Sequence, residues 1–199
     1  MGFLARRLHE LREYSDIARI GEIARRYFAM NAFDGVLTII GVLMGNYTAR
    51  VRDARIVIVT GFSTCMAMGI SGLWGAYLTE SAERKRDLDD LESHTLTDLS
   101  GTKIGRASRV AVVVVALVDG LAPFLSALVV LLPFFFSGLL GDIVLSYYVS
   151  LGMALVVLFA LGAFLGKVSK ESLVISGLKM IVAGLVSILL SYFLKVGGS

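Results

Sequence analysis

The sequence predicts an all-α integral membrane protein, with five transmembrane helices and an N-terminal amphipathic helix. Three observations lead there. Hydrophobic residues make up 56% of the 199 and the mean hydropathy is +0.79, well beyond an ordinary soluble domain. Apolar stretches of the roughly 20 residues needed to cross ~30 Å of hydrocarbon recur five times. Lysine and arginine fall unequally between the connections on the two sides.

In chain order, residues 1–26 come first, with Leu4, Leu8, Leu11, Ile17, Ile20 and Ile23 at helical spacing and Arg6, Arg12, Arg19 and Arg26 largely between them. That pattern suits a helix lying on the inner membrane surface, or one packed on its own protein. Arg and Glu interrupt every apolar run, so no signal-peptide core is expected. Residues 27–199 then form one transmembrane domain with spans at about 27–48, 56–79, 110–136, 143–166 and 173–195. The first and third connections are short, as between antiparallel neighbours. The second, 80–109, is the one cytoplasmic connection of any size. ESAERKRDLDDLE continues the second helix into solvent, with Glu80 and Arg84, Lys85 and Asp89, and Arg86 and Asp90 spaced i, i+4, before the Ser/Gly-rich break SGTKIGRAS. Pro123 and Pro133 predict kinks in the third span.

An odd number of spans puts the termini on opposite faces. Arg6, Arg7, Arg12, Arg19, Arg25 and Arg26, the connection's Arg84, Lys85, Arg86, Lys103, Arg106 and Arg109, and Lys167 with Lys170 share one face; Arg50, Arg52, Arg55 and Lys195 share the other. The N-terminus is therefore expected in the cytoplasm and the C-terminus outside. Cys65 is alone, so no intramolecular disulfide is possible.

The chemistry concentrates in MNAFDGVLTIIGVLMGNY. An ionised carboxylate in hydrocarbon costs about 2.5–3.5 kcal/mol on insertion scales, so Asp34 is expected to face a bundle interior or a wet cavity. Helical projection puts Asn31, Asp34, Thr38, Gly41, Gly45 and Thr48 on one face, and Gly61, Thr64, Met68, Gly72, Gly75 and Thr79 on one face of the second span. Small residues there allow close helix approach, within the chain or in a dimer. Asp119 poses the same problem in the third span, about 15 Å in from Arg109. Both acids, the oxygens of Asn31 and Thr38, and the sulfurs of Met44, Met66 and Met68 can form a cation pathway: carboxylates suit Mn²⁺ and Fe²⁺, thioethers softer ions. Desolvation favours the protonated acid and a bound metal favours the ionised one, so a proton can be exchanged for metal. The alternative is an acid neutralised by hydrogen bonds or paired with Lys179. FDGVLTIIGVL and VDGLAPFLSAL also echo each other across the first and third spans, as internal repeats do in transporters.

Other polar residues read as structural. His9 and His94 lack partners at zinc-site spacing, and Asp87, Asp89, Asp90 and Glu92 are interleaved with bases as on a solvated face. There is no phosphate-cradling glycine loop, nucleophile elbow or metalloprotease motif, so no enzyme, tightly bound cofactor or nucleic-acid partner is expected.

NAFDGVLTIIGVLMG resembles the segment opening the first helix of the vacuolar iron transporter family. GLWGAYLTESAER is similar to that family's second-helix ending, ALVVLLPFFF to its third-helix Leu-Leu-Pro run, and SGLKMIVAGLVSILLSYFLKVGG to its last helix. The resemblance implies a homodimer of five-helix subunits moving Fe²⁺ or Mn²⁺ out of the cytosol in exchange for protons, with the path near the dimer contact. Asp34 matches the first-helix acid and Glu83 the acid at the second-helix exit; Glu80, one turn earlier, joins the candidates for metal handling. Phe33 replaces the asparagine before the acid, and Ser71 or Gly72 stands where the family has a methionine, with Met68 a turn earlier. Roughly thirty residues replace the cytoplasmic metal-binding domain of eukaryotic members, so this reads as a short member of a prokaryotic plasma membrane. Asp119 lies outside the family pattern.

The leading expectation is thus a divalent-cation exporter in the lipid bilayer, with metal ions and protons as its ligands and Gly41, Gly45, Gly72 and Gly75 as helix-packing or dimer contacts. A non-transporting scaffold would instead have Asp34 sealed from water. A lipid-acting enzyme would need Asp34 and Asp119 to converge as an acid–base pair in a lipid-accessible cleft.

Overall fold

The computed structural model describes residues 13, 14, 17, 18 and 20–196. Six helices account for most of them: α1 (Ile20–Thr48), α2 (Ala54–Thr95), α3 (Lys103–Phe135), α4 (Ser137–Leu140), α5 (Ile143–Ser169) and α6 (Leu173–Val196). No strand occurs among the described residues. All but the short α4 contain a stretch long and apolar enough to cross a bilayer. Much of their apolar surface points outward, as with Val174, Leu178, Val182, Leu185 and Leu189 of α6, which only lipid can solvate favourably. The chain is an integral membrane protein. The amphipathic helix expected over 1–26 falls mainly outside the described residues. From Ile20 onward its last turns are continuous with the first span, since neither Arg25 nor Arg26 breaks a helix.

The chain divides into two compact units, Met1–Phe28 with Ile70–Leu121, and Ala29–Gly69 with Ala122–Ser199. The second holds the apolar core. Val36, Ile39, Ile40 and Leu43 of α1 are completely buried there among Val57 and Cys65 of α2, Leu131 and Phe134 of α3, and Tyr147 and Leu158 of α5. Glycines let backbones meet at named points. A methyl group on Gly35 would come within 2.5 Å of the Pro123 carbonyl oxygen, and one on Gly162 within 2.4 Å of the Ser176 carbonyl oxygen. Close approach without bulky side chains is how helices associate where the solvent is itself apolar. Asp142 caps α5 by accepting from the Val144 N–H at 2.9 Å, and the chain turns into α6 through Lys170 at φ 59°. An aromatic group ties the α1 and α5 ends: Tyr147 lies edge-on to Phe134 and Tyr47, with ring centres 4.9 and 5.3 Å apart, and donates its hydroxyl to the Val51 carbonyl at 3.2 Å. Lys179 pairs at 3.8 Å with Glu171, both exposed, so the cation considered as a partner for Asp34 is engaged elsewhere.

The first unit contains the later part of α2. At 42 residues α2 is about 63 Å long, twice what ~30 Å of hydrocarbon requires. Beyond it the connection is stapled by its own side chains. Glu92 accepts from the Leu99 N–H at 2.7 Å, Asp98 from the Ser100 N–H at 2.8 Å, and the Thr102 hydroxyl donates to the Leu99 carbonyl at 2.6 Å. Hydrogen bonds from the Ser100 side chain and backbone hold the Asp98 carboxyl below its ordinary range. Lys103, opening α3, pairs with Glu13, whose hydrogen bond and charge raise the ammonium above its usual value. Of the three expected i, i+4 pairs only Glu80–Arg84 closes to ion-pair distance; Lys85–Asp89 and Arg86–Asp90 remain solvated.

Candidate transport site

Helix geometry decides what Asp34 meets. With Val36, Ile39, Ile40 and Leu43 turned into the core, a period of 3.6 residues turns Asp34, Thr38, Gly41 and Gly45 outward together, and all four are exposed. Nothing lies within 4 Å of where a methyl group on Gly41 or Gly45 would stand. Asp34 makes no hydrogen bond or ion pair among the described residues. Its neighbour Gly35 does the opposite, pressing on the Pro123 backbone while the Ser126 hydroxyl donates to the Ala32 carbonyl at 2.9 Å. The Asp-Gly pair thus turns one residue outward and locks the next against α3.

The other candidates of this unit separate. Asn31 is half-buried and engaged in an interaction of its own. Met44 is buried in the apolar core, and Met68 packs against the core's edge, while Met66 is exposed. Gly61, at the head of the α2 stripe, is buried against Leu131; Thr64 and Met68 further along it are half-buried.

Among the described residues of the first unit, Glu80 and Asp119 are the buried acids, 5% and 8% exposed. Expected on a solvent-going stretch, Glu80 is instead enclosed. It accepts from the Arg84 Nε at 3.3 Å and faces the Tyr27 hydroxyl at a long 3.5 Å. The Arg84 terminal nitrogens reach the Ala18 carbonyl at 3.4–3.5 Å. Arg26 lies 5.6 Å from the centre of the Tyr27 ring. Tyr27 is the residue the sequence reading overlooked; its position just before an apolar run, after Arg25 and Arg26, was the available signal. Glu83, Ser71 and Gly75 are exposed. Gly72 is not open like Gly75: a methyl group there would lie 2.9 Å from the Asp119 carbonyl oxygen and 3.2 Å from its Oδ2. Pro123, four residues on, has no N–H to offer that carbonyl, so an oxygen that α3's own ladder would engage sits against α2 instead. No three His, Cys, Asp or Glu side chains gather among the described residues.

Residues 86–195 match the VIT family. The chain belongs to the VIT family. It is also 31% identical over 178 residues to an uncharacterized protein of Methanocaldococcus jannaschii, a match covering 88% of this chain and 90% of that one. VIT proteins are membrane proteins, generally metal transporters. The stretch matching the VIT family takes in Asp119 and begins beyond Asp34, Glu80 and Glu83.

Proposed function

We propose that this VIT protein exports divalent cations, Fe²⁺ or Mn²⁺, from the cytosol in exchange for protons. It does so as a symmetric dimer in a prokaryotic plasma membrane, with the N-terminus inside. The observation that carries the reading is Asp34: a carboxylate within a membrane-spanning helix, turned away from its own core onto an open strip with Thr38, Gly41 and Gly45. An acid so placed is stable only if a second surface, a wet cavity or a cation covers it. A second copy of the same strip supplies the surface, and the glycines give the backbone clearance for a path between copies. Carboxylate oxygen suits Mn²⁺ and Fe²⁺, and the same oxygen takes up a proton once the metal leaves.

The test is metal uptake into vesicles holding only this protein, with and without a pH gradient. Asp34→Asn keeps the volume and one oxygen donor but loses the charge and the exchangeable proton. It should leave folding and dimerisation intact and nearly eliminate uptake. Undiminished uptake by the Asn variant would make the acid structural and the mechanism wrong.

A further inference from the structure

From Asp34 to the end of α1 at Thr48 is about 21 Å along the helix axis. Over most of that length the open strip offers a cation only the Thr38 hydroxyl, followed by Gly41 and Gly45. A cation that has given up water needs oxygen in its place. The first turns of α2 supply it. Thr60 is exposed and Thr64, one turn further along, is half-exposed; Asn46, the neighbour of Gly45, is half-buried and bonds Thr60 at 3.1 Å. All three belong to the second unit, as Asp34 does.

The hydrogen bonds of this group leave it with acceptors and no spare donor. The Thr60 hydroxyl donates to the Ile56 carbonyl at 2.8 Å, and the Thr64 hydroxyl to the Thr60 carbonyl at 2.9 Å. The Asn46 amide nitrogen donates both to the Val42 carbonyl at 3.0 Å and to Thr60 Oγ1. Both partners are acceptors, since the one Thr60 proton is already given away, so the amide can lie only this way round. Asn46 Oδ1 is thereby turned from both partners and makes no hydrogen bond among the described residues. Lone pairs on the two threonine oxygens also remain unused. Neutral oxygens with every proton committed elsewhere suit a cation such as Mn²⁺, and hold it more weakly than a carboxylate does. Beyond them the connection carries Arg50, Arg52 and Arg55, all exposed, while its one acid, Asp53, accepts from the Arg55 N–H at 2.8 Å. That positive rim opposes lasting occupancy, as a point of release requires.

We propose that Asn46, Thr60 and Thr64 form a second, weaker metal station, about 18 Å along α1 from Asp34, from which the transported cation is released. The inference rests on the transport reading centred on Asp34, and its test keeps the two apart. Mn²⁺ entry is timed in vesicles of the full chain, with and without Mn²⁺ already present on the release side. Asn46→Asp adds a charge to the station, so release-side Mn²⁺ should inhibit entry at a concentration at least tenfold lower than in the unaltered protein. Thr64→Val keeps the shape and removes the oxygen. It should lower the maximal rate several-fold with KM unchanged, because capture at Asp34 comes first, and Thr64→Ser should keep the rate. A role in helix packing alone would shift thermal stability and leave release-side inhibition where it was. Unchanged inhibition in Asn46→Asp, or an undiminished maximal rate in Thr64→Val, overturns the proposal and leaves Asp34 in its role. Absence of Mn²⁺ entry in the unaltered protein overturns the transport reading and the station with it. Should Asn46→Asp fail to fold, the rates of Thr64→Val and Thr64→Ser decide: equal rates refute the station.

Discussion

Replacing Gly35 by alanine tests the architecture that turns Asp34 outward. The new methyl group would lie 2.5 Å from the Pro123 carbonyl oxygen, 2.6 Å from the Pro123 Cα and 2.7 Å from the Ser126 Oγ. Ordinary contacts are 3.5–4 Å, so α1 and α3 must part locally by about 1 Å. Two of the three obstacles are backbone and cannot swing aside. Overpacking of this kind costs about 1–3 kcal/mol. Displacing the Ser126 hydroxyl from its 2.9 Å bond to the Ala32 carbonyl adds about 1 kcal/mol, and alanine's better helix propensity returns about 1 kcal/mol. The net expectation is a loss of about 1–3 kcal/mol. At about 2–4 °C per kcal/mol for a chain of this size, thermal unfolding of the purified protein should begin several degrees lower. Gly41→Ala is the internal comparison, because nothing lies within 4 Å of its methyl group; the single subunit should be unaffected or slightly stabilised. Equal shifts for the two variants, or no fall for Gly35→Ala, would refute the steric argument.

Cysteines placed at Gly41 or Gly45 should crosslink two subunits in bilayers, since the open strip of α1 has value only when another helix covers it; a protein that stays monomeric there removes the dimer. Arg84→Met leaves the Glu80 carboxylate enclosed without its cation and should cost about 3 kcal/mol in unfolding experiments, whereas Glu80→Gln with Arg84→Met should cost much less than the single change. In the connection, Asp89→Asn with Asp90→Asn should leave transport near normal, while Glu92→Ala should expose the Leu99 amide to faster hydrogen exchange by removing its acceptor. Asp98 is held below its ordinary range when folded, so its contribution to the turn is present above about pH 4, the unfolded value, and lost as pH falls through the lower folded one. Protection of the Ser100 amide should therefore persist at neutral pH and disappear only in strong acid.

The sequence alone determined that five helices are long and apolar enough to cross a membrane, because hydrocarbon leaves a spanning backbone no partner but itself. It also determined that Asp34, Thr38, Gly41 and Gly45 share one face, since a period of 3.6 residues needs no neighbour to define it. It could not say which face a neighbour covers. The two small-residue stripes look alike on projection, yet Gly61 and Gly72 press against α3 while Gly41, Gly45 and Gly75 stand open. Gly35 and Gly162, which press on the backbone of another helix, lie off both stripes. The acids divide in the same way. Glu80 and Glu83 belong to one hydrophilic run, but one is enclosed with Arg84 and the other is solvated. Glu92, read as part of a salt-bridged face, is an acceptor for a backbone amide seven residues away. Periodicity and composition are properties of a single helix. Contact between helices depends on where several axes run, and on that the tertiary structure alone decided.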